Sequence, residues 1–98
     1  MAAEQSATTI LLLARIPELG VADFQRYEAV VLPLLDEHGG RLERRLRNDS
    51  GTFEAHVVRF ENAAALERFR ADPRRAAAQP LLVQSSAAIE LIGVEDVT

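Results

Sequence analysis

The run Thr8-Thr9-Ile10-Leu11-Leu12-Leu13-Ala14-Arg15-Ile16 is short, almost wholly apolar, and stopped by Pro17. It reads as a β-strand buried on both faces, because no polar residue interrupts the apolar ones until Arg15. Ile10, Leu12 and Ala14 point to one side of such a strand, and Leu11, Leu13 and Arg15 to the other. A strand greasy on both sides needs cover on both, and the rest of the chain decides what cover there is.

Downstream, Asp23 opens a helical segment, where a carboxylate suits the dipole. Phe24, Tyr27, Val31, Leu34 and Leu35 then recur at helical spacing, with Gln25, Arg26, Asp36 and Glu37 off the stripe. Pro33 removes the bond its N–H would give to Ala29 and predicts a bend; Gly39-Gly40 ends the helix, since glycine takes the left-handed conformation cheaply. From Arg41 to Arg47 the chain alternates, with Leu42, Arg44 and Leu46 on one side and Arg41, Glu43, Arg45 and Arg47 on the other. Asn48-Asp49-Ser50-Gly51 supplies a turn, and Thr52 to Phe60 returns as the second arm of a hairpin. Phe53, Ala55 and Val57 face one way, Val58 and Phe60 the other, and His56 lies between Glu54 and Val58. Asn62 caps a helix from Ala63 to Ala71 whose apolar face is Leu66 and Phe69. Asp72-Pro73 restarts a second, short helix that Pro80 bends or ends, and Ala87 to Val94 is the last strand.

The order strand, helix, strand, strand, helix, strand predicts an α+β, ferredoxin-like βαββαβ fold with a four-stranded antiparallel sheet in the order 4-1-3-2. Residues 1–7, small and polar, are expected to be flexible, and 8–98 to form a single domain. Helices then cover one face only. Each apolar group left on the other is worth up to about 2 kcal/mol if buried, so a homodimer with a joint barrel is expected.

Composition removes several functions. The chain has 98 residues, a net charge of −4 and no cysteine, which argues against nucleic-acid or anionic-membrane partners, thiol nucleophiles and thiolate metal sites. Every basic residue is arginine, so Schiff-base lysine chemistry is out. The two histidines stand far apart, without HxH or HxxxH spacing, and no metal site is expected. No phosphate-cradling glycine loop or dinucleotide fingerprint occurs, and no cofactor is expected. The segment Met1 to Thr9 has no basic stretch followed by an apolar core, and no apolar run approaches the roughly 20 residues of a membrane span, so a cytoplasmic location is expected.

Several strings carry a family likeness. Ala14-Arg15-Ile16, Phe24-Gln25-Arg26-Tyr27 and His38-Gly39-Gly40-Arg41 come first; His56-Val57-Val58-Arg59-Phe60 with Asn62, and Ala71-Asp72-Pro73-Arg74, follow in the same register. Together, over about residues 8 to 94, they resemble the DUF1330 family of dimeric α-β barrel proteins. The chain is also similar to NIPSNAP proteins and, more loosely, to antibiotic biosynthesis monooxygenases. It departs from the DUF1330 pattern in having only Asn48 to Gly51 where a longer glycine-rich hairpin connection is usual. The resemblance implies a barrel that is either a cofactor-independent enzyme acting on a small apolar, aromatic or polyketide-like substrate (a monooxygenase, cyclase or isomerase) or a non-catalytic module binding a small molecule or a protein. In the second case Leu11, Leu13, Val58 and Phe60 would fill the barrel. A third implied possibility is haem binding through His38 or His56.

Six residues are candidates for the site. Arg15, ending an apolar strand, suits stabilisation of an enolate, and His56, with Glu54 two residues before it on the same face, suits proton transfer. These two are the catalytic candidates. Glu54 itself, Tyr27 on the helical stripe, His38 at a helix end and Arg44 between two leucines are the candidates for binding substrate. Five of the six also have a plainer structural role: snorkelling or pairing for Arg15, a water-facing place on an edge strand for Arg44, a structural bond across the sheet or at the dimer seam for His56, capping for His38 and core packing for Tyr27.

Overall fold

The computed structural model describes residues 6–97; most of the stretch read as flexible, residues 1–5, lies outside them. Strand β1 spans Thr8–Arg15, and a 3-10 turn, Glu18–Gly20, leads into helix α1, Val21–Val31. A 3-10 segment, Leu32–His38, precedes β2, Gly40–Arg47; then come β3, Phe53–Phe60, α2, Ala63–Arg70, α3, Pro73–Ser85, and β4, Ala88–Val94. The sheet is antiparallel throughout, in the order β2-β3-β1-β4. This is the ferredoxin-like α+β arrangement.

Local chemistry accounts for the boundaries. Pro33 cannot donate to the α-helical ladder, and the α1 helix gives way at Leu32 to the tighter 3-10 geometry rather than continuing with a bend. Gly39, at φ 71°, makes the left-handed exit the sequence predicts. Asn62 Oδ1 accepts from Ala65 N at 2.8 Å and starts α2; Asp72 Oδ1 accepts from Arg74 N at 2.9 Å and starts α3. Of the two outcomes expected at Pro80, a bend or an end, the helix does not end there: α3 runs through that proline for 13 residues. At Gly20 the 3-10 turn passes so close to the end of α3 that a Cβ would strike the Ser85 carbonyl.

The helices pack on the sheet face that carries Ile10, Leu12 and Ala14 of β1 and, paired with them, Val58, His56 and Glu54 of β3. Phe24, Tyr27, Val31, Leu34 and Leu35, the stripe read from the sequence, are all buried against it. Leu11 and Leu13 lie on the opposite face with Val57 and Ala55, so they do not share an interior with Val58 and Phe60. The predicted filled barrel of those four residues does not form. On that opposite face Leu46 is 49% exposed and Ile92 37%, and only half-burial is reached by Leu11, Leu13 and Val57.

One irregularity in the sheet decides which side chains of β2 reach the helix-covered face. The β2–β3 register shifts between Leu42 and Arg44: Leu42 stands opposite Val58, yet Arg44 stands opposite Val57. This β-bulge breaks the even alternation read from the sequence. Leu42 faces the helices, whereas Arg44 and Leu46 turn to the open face, and Arg45 and Arg47 turn inward beside His56 and Glu54.

Candidate functional site

Between the helix face of the sheet and the helices lies a cavity of about 400 Å³, within the range of small-molecule sites. Phe24, Val31 and Leu35 wall it from α1 and the following 3-10 segment, Leu66 and Phe69 from α2, and Leu82 from α3. Its polar lining is sparse. His56 contributes from the sheet, and Glu28, Tyr27, Arg70, Arg75 and Gln79 from the helices.

His56 is the head of a buried charged cluster. Its Nε2 lies 2.8 Å from Glu54 Oε1 and 3.2 Å from Glu28 Oε2, though only the Glu54 contact is aligned as a hydrogen bond. Arg45 Nη2 donates to Glu28 Oε1 at 2.9 Å, and Arg47 Nε to Glu54 Oε2 at 2.8 Å. Arg45 Nε also reaches Glu54 Oε1, at 3.4 Å. Glu54 is wholly buried, and Glu28 and His56 nearly so. Burial by itself would raise the pKa of Glu54, but Glu28, His56 and Arg47 outweigh it and hold the carboxyl at about 2. Glu28 is raised above 4.5 by burial and by the neighbouring Glu54, with His56 and Arg45 opposing. For His56, burial works against the charged ring, yet Glu28 and Glu54 prevail and its pKa is raised above 6.5.

The chemical consequence is a fixed tautomer. Facing carboxylates, Nε2 keeps its proton in both charge states of the ring. Nδ1, buried and without a partner, is left as the nitrogen that exchanges one. Glu28, Glu54 and His56 also bring three possible metal-ligand atoms within 4.8 Å of one another. Two guanidiniums already neutralise those carboxylates, and a dication placed there would be repelled by both. The cluster suits proton handling better than metal binding.

The structure divides the six candidates. His56 and Tyr27 line the cavity, and Glu54 lies beneath His56 as its partner. Arg15 does not join them: it sits on the other face of the sheet, largely exposed, 3.8 Å from Glu90 and 5.8 Å from the Phe53 ring centroid. A joint site of Arg15 and His56 is therefore not formed within one chain. Arg44 is turned to the same open face by the bulge. His38 binds Asp72 Oδ2 through Nε2 at 2.8 Å, in a group where Arg74 also bridges Asp72 and Glu37. That group fastens the 3-10 segment to the start of α3. Neither histidine suits haem, since each commits Nε2 to a carboxylate and leaves only the nitrogen nearer the backbone.

Glu28, Arg45, Arg47 and Arg75 belong to the site and went unread. For Glu28 a signal existed: Phe24, Glu28, Val31 and Leu35 fall at i, i+4, i+7 and i+11, so a carboxylate stands inside an apolar stripe. Arg75, with Ala78, Gln79 and Leu82, occupies the inward stripe of α3 in the same way.

No protein-family model matches the chain, and no curated protein matches its sequence. Solved structures do match. A protein from Bacteroides thetaiotaomicron described as an antibiotic biosynthesis monooxygenase aligns with a TM-score of 0.79 at 12% identity, over 97% of this chain and 93% of that one. SnoaB, a cofactor-independent oxygenase from Streptomyces nogalater, aligns at 0.71 and 16% identity over 94% and 96%. A NIPSNAP family protein of unknown function from Agrobacterium tumefaciens aligns at 0.65 and 14% over 96% and 93%. At such identities it is the fold that is shared, and the chain has the ferredoxin-like α+β fold of the antibiotic biosynthesis monooxygenases and NIPSNAP proteins.

Proposed function

We propose that this chain is a cofactor-independent enzyme that removes a proton from a small aromatic or polyketide-like substrate held in the cavity, with His56 as the base. The observation that carries this reading is the unpartnered Nδ1 of His56 in a cavity-lining ring whose other nitrogen is tied to Glu54. Loss of a proton to give a resonance-stabilised enolate or phenolate is the step common to metal-free oxygenation, cyclisation and isomerisation of such compounds. The largely apolar walls lower the local polarity, which strengthens electrostatic effects on a bound substrate. The likeness in fold to a cofactor-independent oxygenase is support by analogy. The narrower kinship with DUF1330 proteins rests on the residue strings alone. The same reading has the open face of the sheet pair with a second copy, through Leu11, Leu13, Ala55 and Val57.

The test is hydrogen–deuterium exchange of an enolisable aryl ketone, 2-tetralone, followed by NMR in D2O. The wild-type chain is expected to accelerate exchange, and His56→Gln to lose about 10²-fold or more of that acceleration. Because the base must be neutral and the His56 pKa is raised, the rate is expected to climb with pH through an inflection above 6.5. Exchange no faster than buffer, or equally fast in His56→Gln, would leave the cluster a structural lock in a binding module.

A further inference from the structure

Arg75 is the least exposed arginine of the described residues, and no carboxylate pairs with it among them. The other inward charges are all met: Glu28 and Glu54 by arginines, His56 by both carboxylates, Asp72 by His38 and Arg74. Arg75 is half-buried, and a partly desolvated guanidinium without a counter-ion favours an anion beside it. Arg75 is also held in place. Its guanidinium carbon lies 4.7 Å from the centroid of the Phe69 ring, and Nη2 donates to the Tyr27 hydroxyl at 3.3 Å. The Nε–H remains buried and unbonded. All three residues line the cavity.

We propose that the cavity takes a carboxylic acid with an apolar or aromatic body, and that Arg75 is the residue that binds the carboxylate. The carboxylate accepts from the part of the guanidinium that faces the cavity and from the Tyr27 hydroxyl beside it. The body of the ligand lies against Phe24, Leu35 and Leu82, which leaves His56, on β3, to face it from the sheet. This assignment rests on the cavity being a ligand site, as in the proposed function, and narrows its substrate class to acids.

The experiment is calorimetric titration of the intact chain with 2-naphthoate and with 2-naphthamide, which match in shape and differ in charge. Naphthoate is expected to bind about tenfold more tightly than the amide. Arg75→Gln is expected to bring the two within about twofold, and Arg75→Lys, which keeps the charge and loses the planar fork, to fall between. Thermal melts establish that each variant is folded, and the wild-type ratio and Arg75→Lys stand even if Arg75→Gln does not fold. Equal binding of the two probes by the wild type, a preference that survives Arg75→Gln, or no binding of either probe up to millimolar concentration overturns the assignment. Failure here is distinguishable from failure of the proton-transfer reading, because 2-tetralone carries no carboxylate and its exchange reports on His56 alone.

Discussion

At the residue scale, Glu54 is where structure and chemistry meet. Removing its charge leaves Arg45, Arg47 and His56 short of a counter-ion, so Glu54→Gln is expected to cost stability. Breaking a fully dry pair costs about 3–5 kcal/mol. The two arginine side chains are 39% and 40% exposed, and a loss of roughly 2–3 kcal/mol by urea unfolding is the corresponding expectation. The pH dependence has a definite sign. With a folded pKa of about 2 against an ordinary 4.5, Glu54 stabilises the fold fully above pH 4.5, and this is lost as pH falls through 2. Glu28, raised, runs the opposite way and shortens that limb. His56, also raised, contributes fully below 6.5 and progressively less as pH climbs past its folded value. In Glu54→Gln the acid limb is expected to shrink without vanishing, since Asp72 is also lowered. The pairing of Glu54 with His56 was legible in the sequence, because residues two apart on a strand share a face. Glu28 is joined to them only through packing of a helix on the sheet, which no local spacing encodes.

At the scale of elements, the boundaries were legible wherever capping chemistry sets them, at Gly39, Asn62 and Asp72. Two interior irregularities were not. The bulge in β2 adds one residue opposite Val57, and nothing in Arg41 to Arg47 marks where an extra residue will be absorbed. Its effect is large, because one residue of slip exchanges the faces of a strand, and it is what turns Arg45 and Arg47 toward Glu54. At Pro80 the sequence leaves open a bend or an end. A proline in mid-helix removes a bond and crowds the preceding turn, at a cost of about 3 kcal/mol, but α3 tolerates it. Pro80 is exposed, and Pro80→Ala is accordingly expected to stabilise the chain by about 1–2 kcal/mol, read as a higher thermal midpoint. An unchanged or lower midpoint would mean that local backbone adjustment has already removed the penalty.

For the molecule as a whole, the sheet is a partition with a helix-covered side that holds the cavity and an open side that holds Leu11, Leu13, Ala55, Val57, Arg15 and Arg44. The sequence disclosed that a surplus apolar face exists, since β1 is greasy on both sides; it could not disclose that the cavity and that face are on opposite sides. Pairing of open faces predicts that sedimentation equilibrium at micromolar concentration finds twice the mass of one chain, and that Leu13→Asp returns it to a single chain with its helix content intact. A wild-type chain that sediments alone would refute the pairing. If copies do associate this way, each one already owns a complete chamber: His56, Glu28, Tyr27 and Arg75 all come from the same polypeptide. Loading one chamber then leaves its neighbour's affinity untouched, and saturation follows a simple hyperbola with no communication between halves.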